Sequence, residues 1–284
     1  MSVLTLMVGA GGTGSYVLPL LLERYEQERV EHKVLVVDGD VLEERNLLRQ
    51  GFYLDDLGLN KAQALVKHYK DVDLETGVYY STKNITSISY LVQVVQTMVS
   101  FHTDIDEVRL VCCADNTMVR YRLELGLHLI LNLPTIKQVI YVDSGNTELR
   151  GQVLFHKYSK GDTDISQQGI SINGGISDSI FSRIDAPDLA SKLTFGDFEL
   201  SCDVVSESAP QNIATNQLAA FYVVKAIMNQ RGSYEFNSRT AFGVKLANQT
   251  HEVVQAELNS MMQDEVFIRE ITPNTQQAIS INKI

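Results

Sequence analysis

The stretch "SVLTLMVGAGGTGSYVLPLLLERYEQ" constrains the fold of this chain more than any other. A short apolar run, read as a buried strand, ends in Gly9-Ala10-Gly11-Gly12-Thr13-Gly14. A helical segment follows directly. G-x-G-x-x-G between a strand and a helix is the context that a nucleotide-binding turn requires. Gly9 permits the tight turn, Gly11 lets backbone approach phosphate or ribose, and Gly14 lets the helix pack on the strand. Gly12 lies in the same turn. The helix then offers free N–H groups and a positive dipole end to an anion. Asp38 closes the second apolar run, "HKVLVVD", 24 positions after Gly14. A carboxylate there accepts hydrogen bonds from a ribose diol. At this level NAD, FAD and ATP all remain open, as does a purely structural turn.

Strand-like and helix-like segments alternate as far as "PTIKQVIYVDSG". That alternation predicts a mostly parallel, doubly wound sheet. After Gly145 the pattern changes. "LRGQVLFHKY" follows a short polar turn and reads as an antiparallel strand. "SYEFNS", "TAFGVKLAN" and "HEVVQAEL" alternate in the same way. "APQNIATNQLAAFYVVKAIMNQ" reads as an amphipathic helix with Ile213, Leu218, Phe221, Val224 and Ile227 on one face. The expectation is one α/β domain over residues 1–284, a Rossmann-like three-layer fold with a mixed sheet. Residues 1–145 form a parallel, nucleotide-binding half and 146–284 an antiparallel half. Residues 159–199 lack periodicity and read as a long functional loop or a disordered insertion. The closing "TPNTQQAISINKI" reads as a loose tail.

A formal net charge of -11 argues against nucleic-acid and anionic-membrane partners. No run is long and apolar enough to span a bilayer, and the N-terminus lacks the basic opening of a signal peptide. Three cysteines, Cys112, Cys113 and Cys202, are an odd and sparse set. They fit a reducing, cytoplasmic setting without a disulfide framework. No C-x-x-C, H-x-H or H-E-x-x-H occurs, so zinc is not expected. Cys112 and Cys113 alternate across a strand and read as core residues.

The most informative stretch is "VVDGDVLEERNLLRQGFYLDDLGLNK". A plain dinucleotide site needs one acid at the end of its second strand. Here Asp38 and Asp40 are followed by Asn46, Arg49, Gln50 and Lys61. The phosphates of a nucleoside triphosphate call for such a set. Arg49 presents a planar fork to phosphate oxygens and Lys61 a compact charge. Asn46 and Gln50 add neutral donors. No G-x-x-x-x-G-K-[ST] is present, so a P-loop is not available for that work. Singly, each of these residues also reads as an ordinary solvated loop or helix position.

Four motifs together, "VGAGGTGS", "VDGDVLEERNLLRQ", Lys61 in "LGLNKAQ" and "CADNTMVRYRLE", resemble the ThiF/MoeB-type adenylyltransferases. That fold is shared by the ubiquitin-activating enzymes. The resemblance covers roughly the first half of the chain. It implies that Asp38 contacts ribose and that Asp40 shapes the same end of the site. Asn46, Arg49, Gln50 and Lys61 would hold the triphosphate, and Asp115 would bind or position Mg²⁺. A carboxylate at the end of a parallel strand is a suitable hard ligand for that ion. Asp115 and Asn116 are also both able to cap the helix that starts there. Arg120, one turn in, pairs with an acid or supports the site.

The resemblance further implies ATP as substrate and a small ubiquitin-like or sulfur-carrier protein as partner. The C-terminal glycine of that partner would become an acyl-adenylate as pyrophosphate leaves. Homodimers are usual in the family. The segment "YVDSGNTELRGQVLF" resembles the family's re-entry into the sheet, and Lys160 to Phe195 its crossover segment. "LSCDVVSESAPQNIATNQLAAFYVVKAI" most resembles the single-Cys version in ThiF-type proteins of plasmid and phage gene clusters. Cys202 there reads as a thioester or persulfide nucleophile, or as a relic of a zinc site. Bacterial homodimers of the family usually donate an arginine from an N-terminal helical extension. With the first strand at the start of this chain, that ligand is expected to be absent or to come from elsewhere. Two other classes stay open: a non-catalytic nucleotide-binding scaffold of the same fold, and an NAD(P)-binding oxidoreductase.

Overall fold

A computed structural model of the protein describes residues 2–28, 31–69, 77–146, 148–161, 212–230, 233–237 and 268–271. The elements in chain order are β1 (Ser2–Val8), α1 (Gly14–Tyr25), β2 (Glu31–Val37), α2 (Lys61–Lys67) and β3 (Gly77–Ser81). They continue with α3 (Ile88–Phe101), β4 (Ile105–Cys112), α4 (Thr117–Leu131), β5 (Gln138–Asn146) and β6 (Arg150–Ser159). The last are α5 (Ile213–Asn229), β7 (Ser233–Asn237) and β8 (Ile268–Ile271). Two short 3-10 turns, Glu44–Asn46 and Leu54–Asp56, lie between β2 and α2.

The strands form one eight-stranded sheet in the order β3-β2-β1-β4-β5-β6-β7-β8. From β3 to β5 every pairing is parallel. From β5 to β8 every pairing is antiparallel. The expected α/β fold, with a parallel first half and an antiparallel second half, is what the chain adopts. The parallel strands are apolar on both faces, as a sheet covered by helices on both sides requires. Met7, Val34, Val36, Val111 and Ile140 point into one core with α1, α2 and α5. Leu6, Leu35, Val37, Leu110 and Cys112 point into the other with α3 and α4. Cys112 and Cys113 fall into opposite cores, as their alternation predicts.

α1 continues through Pro19 without a break. α5 departs from the predicted face. Leu218, Val224 and Ile227 are buried, but Ile213 and Phe221 are 47% and 53% exposed. The buried arc is wider than a single stripe, because α5 packs against α1 as well as against β5 and β6. Ala219, Ala220 and Ala226 lie fully buried in that arc, alongside Thr215 and Asn216. β8, the segment "IREI", is an additional strand beyond the sequence reading. The expected strands "TAFGVKLAN" and "HEVVQAEL", the loop from residue 162 onward and Cys202 lie outside the described residues.

One polar cluster is embedded in the α1 side of the sheet. Arg109 Nε lies 2.6 Å from Glu107 Oε1, and its Nη1 donates to Tyr25 Oη at 3.0 Å. Tyr25 Oη also bonds Thr5 Oγ1 at 2.7 Å, and Gln138 Nε2 donates to Glu107 Oε2 at 2.6 Å. His32 stacks on Tyr25 with centroids 3.7 Å apart and planes 4° from parallel. Such a buried ion pair is tolerated because its remaining polar atoms are satisfied by neighbours.

Candidate functional site

The strand order reverses between β1 and β4. The chain builds β2 and β3 to one side, then returns to lay β4 and β5 on the other. Open α/β sheets present their ligand crevice at such a point, outside the carboxyl ends of the strands. The glycine turn emerges there. Gly9 N–H donates to the Val37 carbonyl at 2.8 Å, and Cys113 N–H to the Val8 carbonyl at 2.8 Å. Gly9 has φ +96°, and a Cβ on it would stand 2.7 Å from the Ala114 nitrogen. A side chain at that position is excluded twice over, by conformation and by contact. A Cβ on Gly14 would stand 2.0 Å from the Gly9 carbonyl oxygen, so the third glycine is required for the helix to seat on the turn. Gly11 differs. Its Cβ would meet only the Gln50 side-chain nitrogen, at 3.8 Å.

Asp38 is buried against the same turn. Its Oδ2 accepts from Ala10 N–H at 2.7 Å and its Oδ1 from Asp40 N–H at 2.9 Å. Burial pushes its carboxyl above the usual range, while those two N–H groups and the Lys61 charge pull in the other direction. Asp40 accepts from Lys61 Nζ at 2.9 Å. Asn60 fixes the backbone of this acidic pair, donating from Nδ2 to the carbonyls of Asp38 and Asp40 at 2.8 and 3.0 Å. Its Oδ1 accepts from Gln63 N–H at 3.1 Å and so caps α2. Lys61, the first residue of α2, is thereby delivered to the end of β2.

The loop after β2 folds back over the glycine turn. Asn46 Oδ1 accepts from Glu43 N–H at 2.9 Å, and the Asn46 carbonyl receives the N–H groups of Arg49 and Gln50. Ser15 Oγ donates to the Gly12 carbonyl at 3.2 Å and accepts from Gly51 N–H at 2.9 Å, which ties loop to turn. Asp40, Val41, Glu43, Arg45, Asn46 and Lys61 line one polar hollow. Gln50 is buried, and its Oε1 has no hydrogen-bond partner among the described residues. Arg49 is half-buried, and its carbonyl accepts from Asn216 Nδ2 at 3.0 Å.

At the end of β4, Asp115 stands exposed. Asn116 caps α4, its Oδ1 accepting from the N–H groups of Met118 and Val119 at 2.9 and 3.3 Å. Of the two residues able to cap, Asn116 does so, and the Asp115 carboxylate is left to solvent. Arg120 pairs with an acid, as expected: its Nε lies 3.2 Å from Asp143 Oδ1, and both side chains are buried. Its Nη2 donates to the Ser144 carbonyl at 3.1 Å. Burial holds the neighbouring Cys113 thiol well above its usual range. Among the described residues no group of three or more His, Cys, Asp and Glu side chains is arranged to hold a metal ion. No helix among them is long and apolar enough to cross a membrane.

The structure thus brings Asp38, Asp40, Asn46, Gln50 and Lys61 to the glycine turn, and Asp115 to the adjacent strand end. The residues that hold this arrangement, Ser15, Asn60, Asn146 and Asn216, were not singled out by sequence. Asn60 alone carried a local signal, an N-cap residue directly before "KAQA".

The sequence matches the ThiF family over residues 2–259. It has no match among curated proteins. Among solved structures, PaaA is similar with a TM-score of 0.51 at 15% identity, covering 84% of this chain and 61% of that one. Escherichia coli MccB solved with MccA gives a TM-score of 0.52 at 15% identity, covering 95% of this chain and 63% of that one. E. coli MccB solved with ATP gives 0.50 at 14% identity, covering 98% and 66%. Likeness at that identity speaks for the fold, and the chain spans less than two thirds of the first two relatives. With the family matched across most of its length, the chain belongs to the ThiF family.

Proposed function

We propose that this protein is an ATP- and Mg²⁺-dependent adenylyltransferase that activates a carboxylate. The acceptor is the C-terminal glycine of a small ubiquitin-like or sulfur-carrier protein, and the enzyme works as a homodimer. The observation that carries the reading is the surface left open at the turn. Among the described residues, a Cβ on Gly11 would meet nothing closer than the Gln50 side-chain nitrogen at 3.8 Å, which leaves room at the turn and an amide donor beside it. A nucleotide fits both features. Family membership supports the reaction class, and the neighbour MccB is solved both with ATP and with MccA.

In this reading the Asp38 carboxylate, already oriented by two N–H groups, takes the ribose. Asn46, Arg49, Gln50 and Lys61 hold the triphosphate. The acceptor carboxylate is ionised at neutral pH, so its attack on the α-phosphorus needs no general base. The new C–O–P linkage forms as the bond to pyrophosphate breaks. Catalysis is then positioning and charge neutralisation. Asp115 would be the protein ligand of Mg²⁺, which commonly binds one or two carboxylates and the substrate phosphates and neutralises charge on the leaving oxygens. Lys61 is held by Asp40 until phosphate competes for it.

The test is MgATP binding by calorimetry, followed by ATP–pyrophosphate exchange with a sulfur-carrier protein ending in Gly-Gly. Binding with acceptor-dependent exchange is expected. ATP binding without exchange over a panel of such acceptors points to a non-catalytic scaffold. NADH binding in place of ATP overturns the reading.

A further inference from the structure

A chain of hydrogen bonds runs from the glycine turn to the loop after β2 through two asparagines, neither of which lines the polar hollow. Thr13 Oγ1 donates to Asn146 Oδ1 at 3.0 Å. Asn146 Nδ2 donates to Asn216 Oδ1 at 2.8 Å. Asn216 Nδ2 donates to the Arg49 carbonyl at 3.0 Å. All three bonds point the same way, and each amide uses one donor and one acceptor, so a reversed Asn216 amide breaks two bonds at once. The chain joins the glycine turn, the end of β5, the first turn of α5 and the loop that carries Arg49 and Gln50.

We propose that Asn146 and Asn216 are positioning residues for the phosphate-binding end of the site. This inference rests on the adenylation reading for its ligand. Each end of the chain has a consequence there. At one end, Thr13 belongs to the glycine turn at the start of α1, and its hydroxyl donates to Asn146. The Thr13 carbonyl in turn accepts from the N–H groups of Tyr16 and Val17, so this bond holds the turn and the first turn of α1 together. At the other end, the Arg49 carbonyl is pinned to a fully buried amide. That fixes the backbone from which the Arg49 and Gln50 side chains extend. The glycine turn and the arginine loop are held in one register by one set of bonds. α5 is also anchored independently: Asn212 Nδ2 and Thr215 Oγ1 both donate to the Glu148 carbonyl. The Asn146–Asn216 pair is therefore not needed merely to dock the helix.

The experiment is a mutant cycle read on MgATP affinity by calorimetry, with unfolding midpoints measured alongside. Asn216→Ala leaves the Arg49 carbonyl without its donor and is expected to weaken MgATP about tenfold. Asn216→Asp sets one acceptor against another and is expected to weaken it further. In an Arg49→Ala background, Asn216→Ala is expected to cost less than about threefold, because the group it positions is gone. If Asn216→Ala does not fold, Asn146→Ala breaks the same chain at a half-buried strand end and should show the same coupling. Equal losses in both backgrounds, or unchanged affinity in the single variants, overturn the inference. A wild type that binds MgATP without supporting exchange sinks the adenylation reading and leaves this cycle intact. A wild type that does not bind MgATP overturns both.

Discussion

Lys61 Nζ lies 2.9 Å from Asp40 Oδ2 in a lopsided pair: the lysine side chain is 11% exposed, its partner 63%. Such a pair, open to water on one side, stabilises a fold by only about 1 kcal/mol or less. A phosphate arriving at the hollow meets a lysine whose paired carboxylate, Asp40, is open to water and easily displaced. Lys61→Met keeps the apolar stem and removes the charge. It should lower pyrophosphate exchange on the order of a hundredfold while leaving the urea midpoint nearly unchanged. Exchange within a few-fold of wild type in that variant removes Lys61 from the site.

At the other end of the α1 side, His32 gives the fold an acid-sensitive point. Burial and the nearby Arg109 charge lower its pKa from 6.5 to about 4. Glu28 Oε2, 2.9 Å from Nε2, works against this shift by favouring the charged ring. The geometry sides with the neutral form. Nε2–H donates to Glu28, and buried Nδ1 has no partner among the described residues, so a second proton would be stranded. The unfolded chain takes up that proton near pH 6.5 and the folded one does not. Stability from this group is therefore complete above pH 6.5 and is lost as pH falls toward 4, by roughly 2–3 kcal/mol. His32→Phe retains the stack on Tyr25 without titrating. Its unfolding free energy, followed from pH 7 to 4, should fall less steeply than that of wild type. Parallel pH profiles for the two proteins would assign the acid sensitivity elsewhere.

The parallel half of the sheet was legible because each strand is an apolar run closed by turn residues and followed by a helical period. The apolar run "SVLTLMV" read as the first strand is β1 to the residue. β8 carries four residues and no alternation long enough to stand out, and only its pairing with β7 defines it. The α5 face was misjudged because periodicity assumes one neighbour, and this helix has α1 on one side and the sheet on another. At the candidate site, Asp38, Asp40, Gln50 and Lys61 were singled out from their chemical types, and the structure brings them near the glycine turn. Their supports were not singled out. Asn146 and Asn216 are 70 positions apart, and Asn216 and Arg49 are 167 apart. An asparagine on a helix announces neither partner until the chain has folded.

The cysteines separate activation from any later transfer. Cys112 and Cys113 are buried, and the Cys113 thiol is held well above its usual range by desolvation, with Cys112 and Asp143 adding and Arg120 opposing. Cys113 therefore stays a thiol at neutral pH, and Cys112 is fully buried. Brief maleimide labelling of the native protein should therefore spare both. Adenylation uses no thiol in the proposed chemistry, so Cys202→Ser should retain full pyrophosphate exchange. If the acceptor is passed to a thioester, a thiol-sensitive adduct seen with wild type and ATP should vanish in the variant. Loss of exchange in Cys202→Ser would place that sulfur in the activation step instead.

The glycines offer the sharpest separation of fold from ligand. On Gly14 a methyl group would stand 2.0 Å from the Gly9 carbonyl oxygen, backbone against backbone, with no flexible side chain to yield. Gly14→Ala must move α1 off the turn and is expected to destabilise the protein by several kcal/mol, on the order of an overpacked core. On Gly11 the same methyl meets only the Gln50 amide nitrogen at 3.8 Å, an ordinary contact. Among the described residues nothing forbids a side chain there, and Gly11 is free of positive φ. A bound nucleotide supplies the missing reason, since its phosphates must approach the backbone at that point. Gly11→Ala should keep the wild-type unfolding midpoint and lose MgATP affinity by at least about tenfold in calorimetry. A Gly11→Ala protein that binds MgATP as tightly as wild type shows that the nucleotide does not lie across this turn. A Gly11→Ala protein that unfolds early shows that the glycine serves the fold.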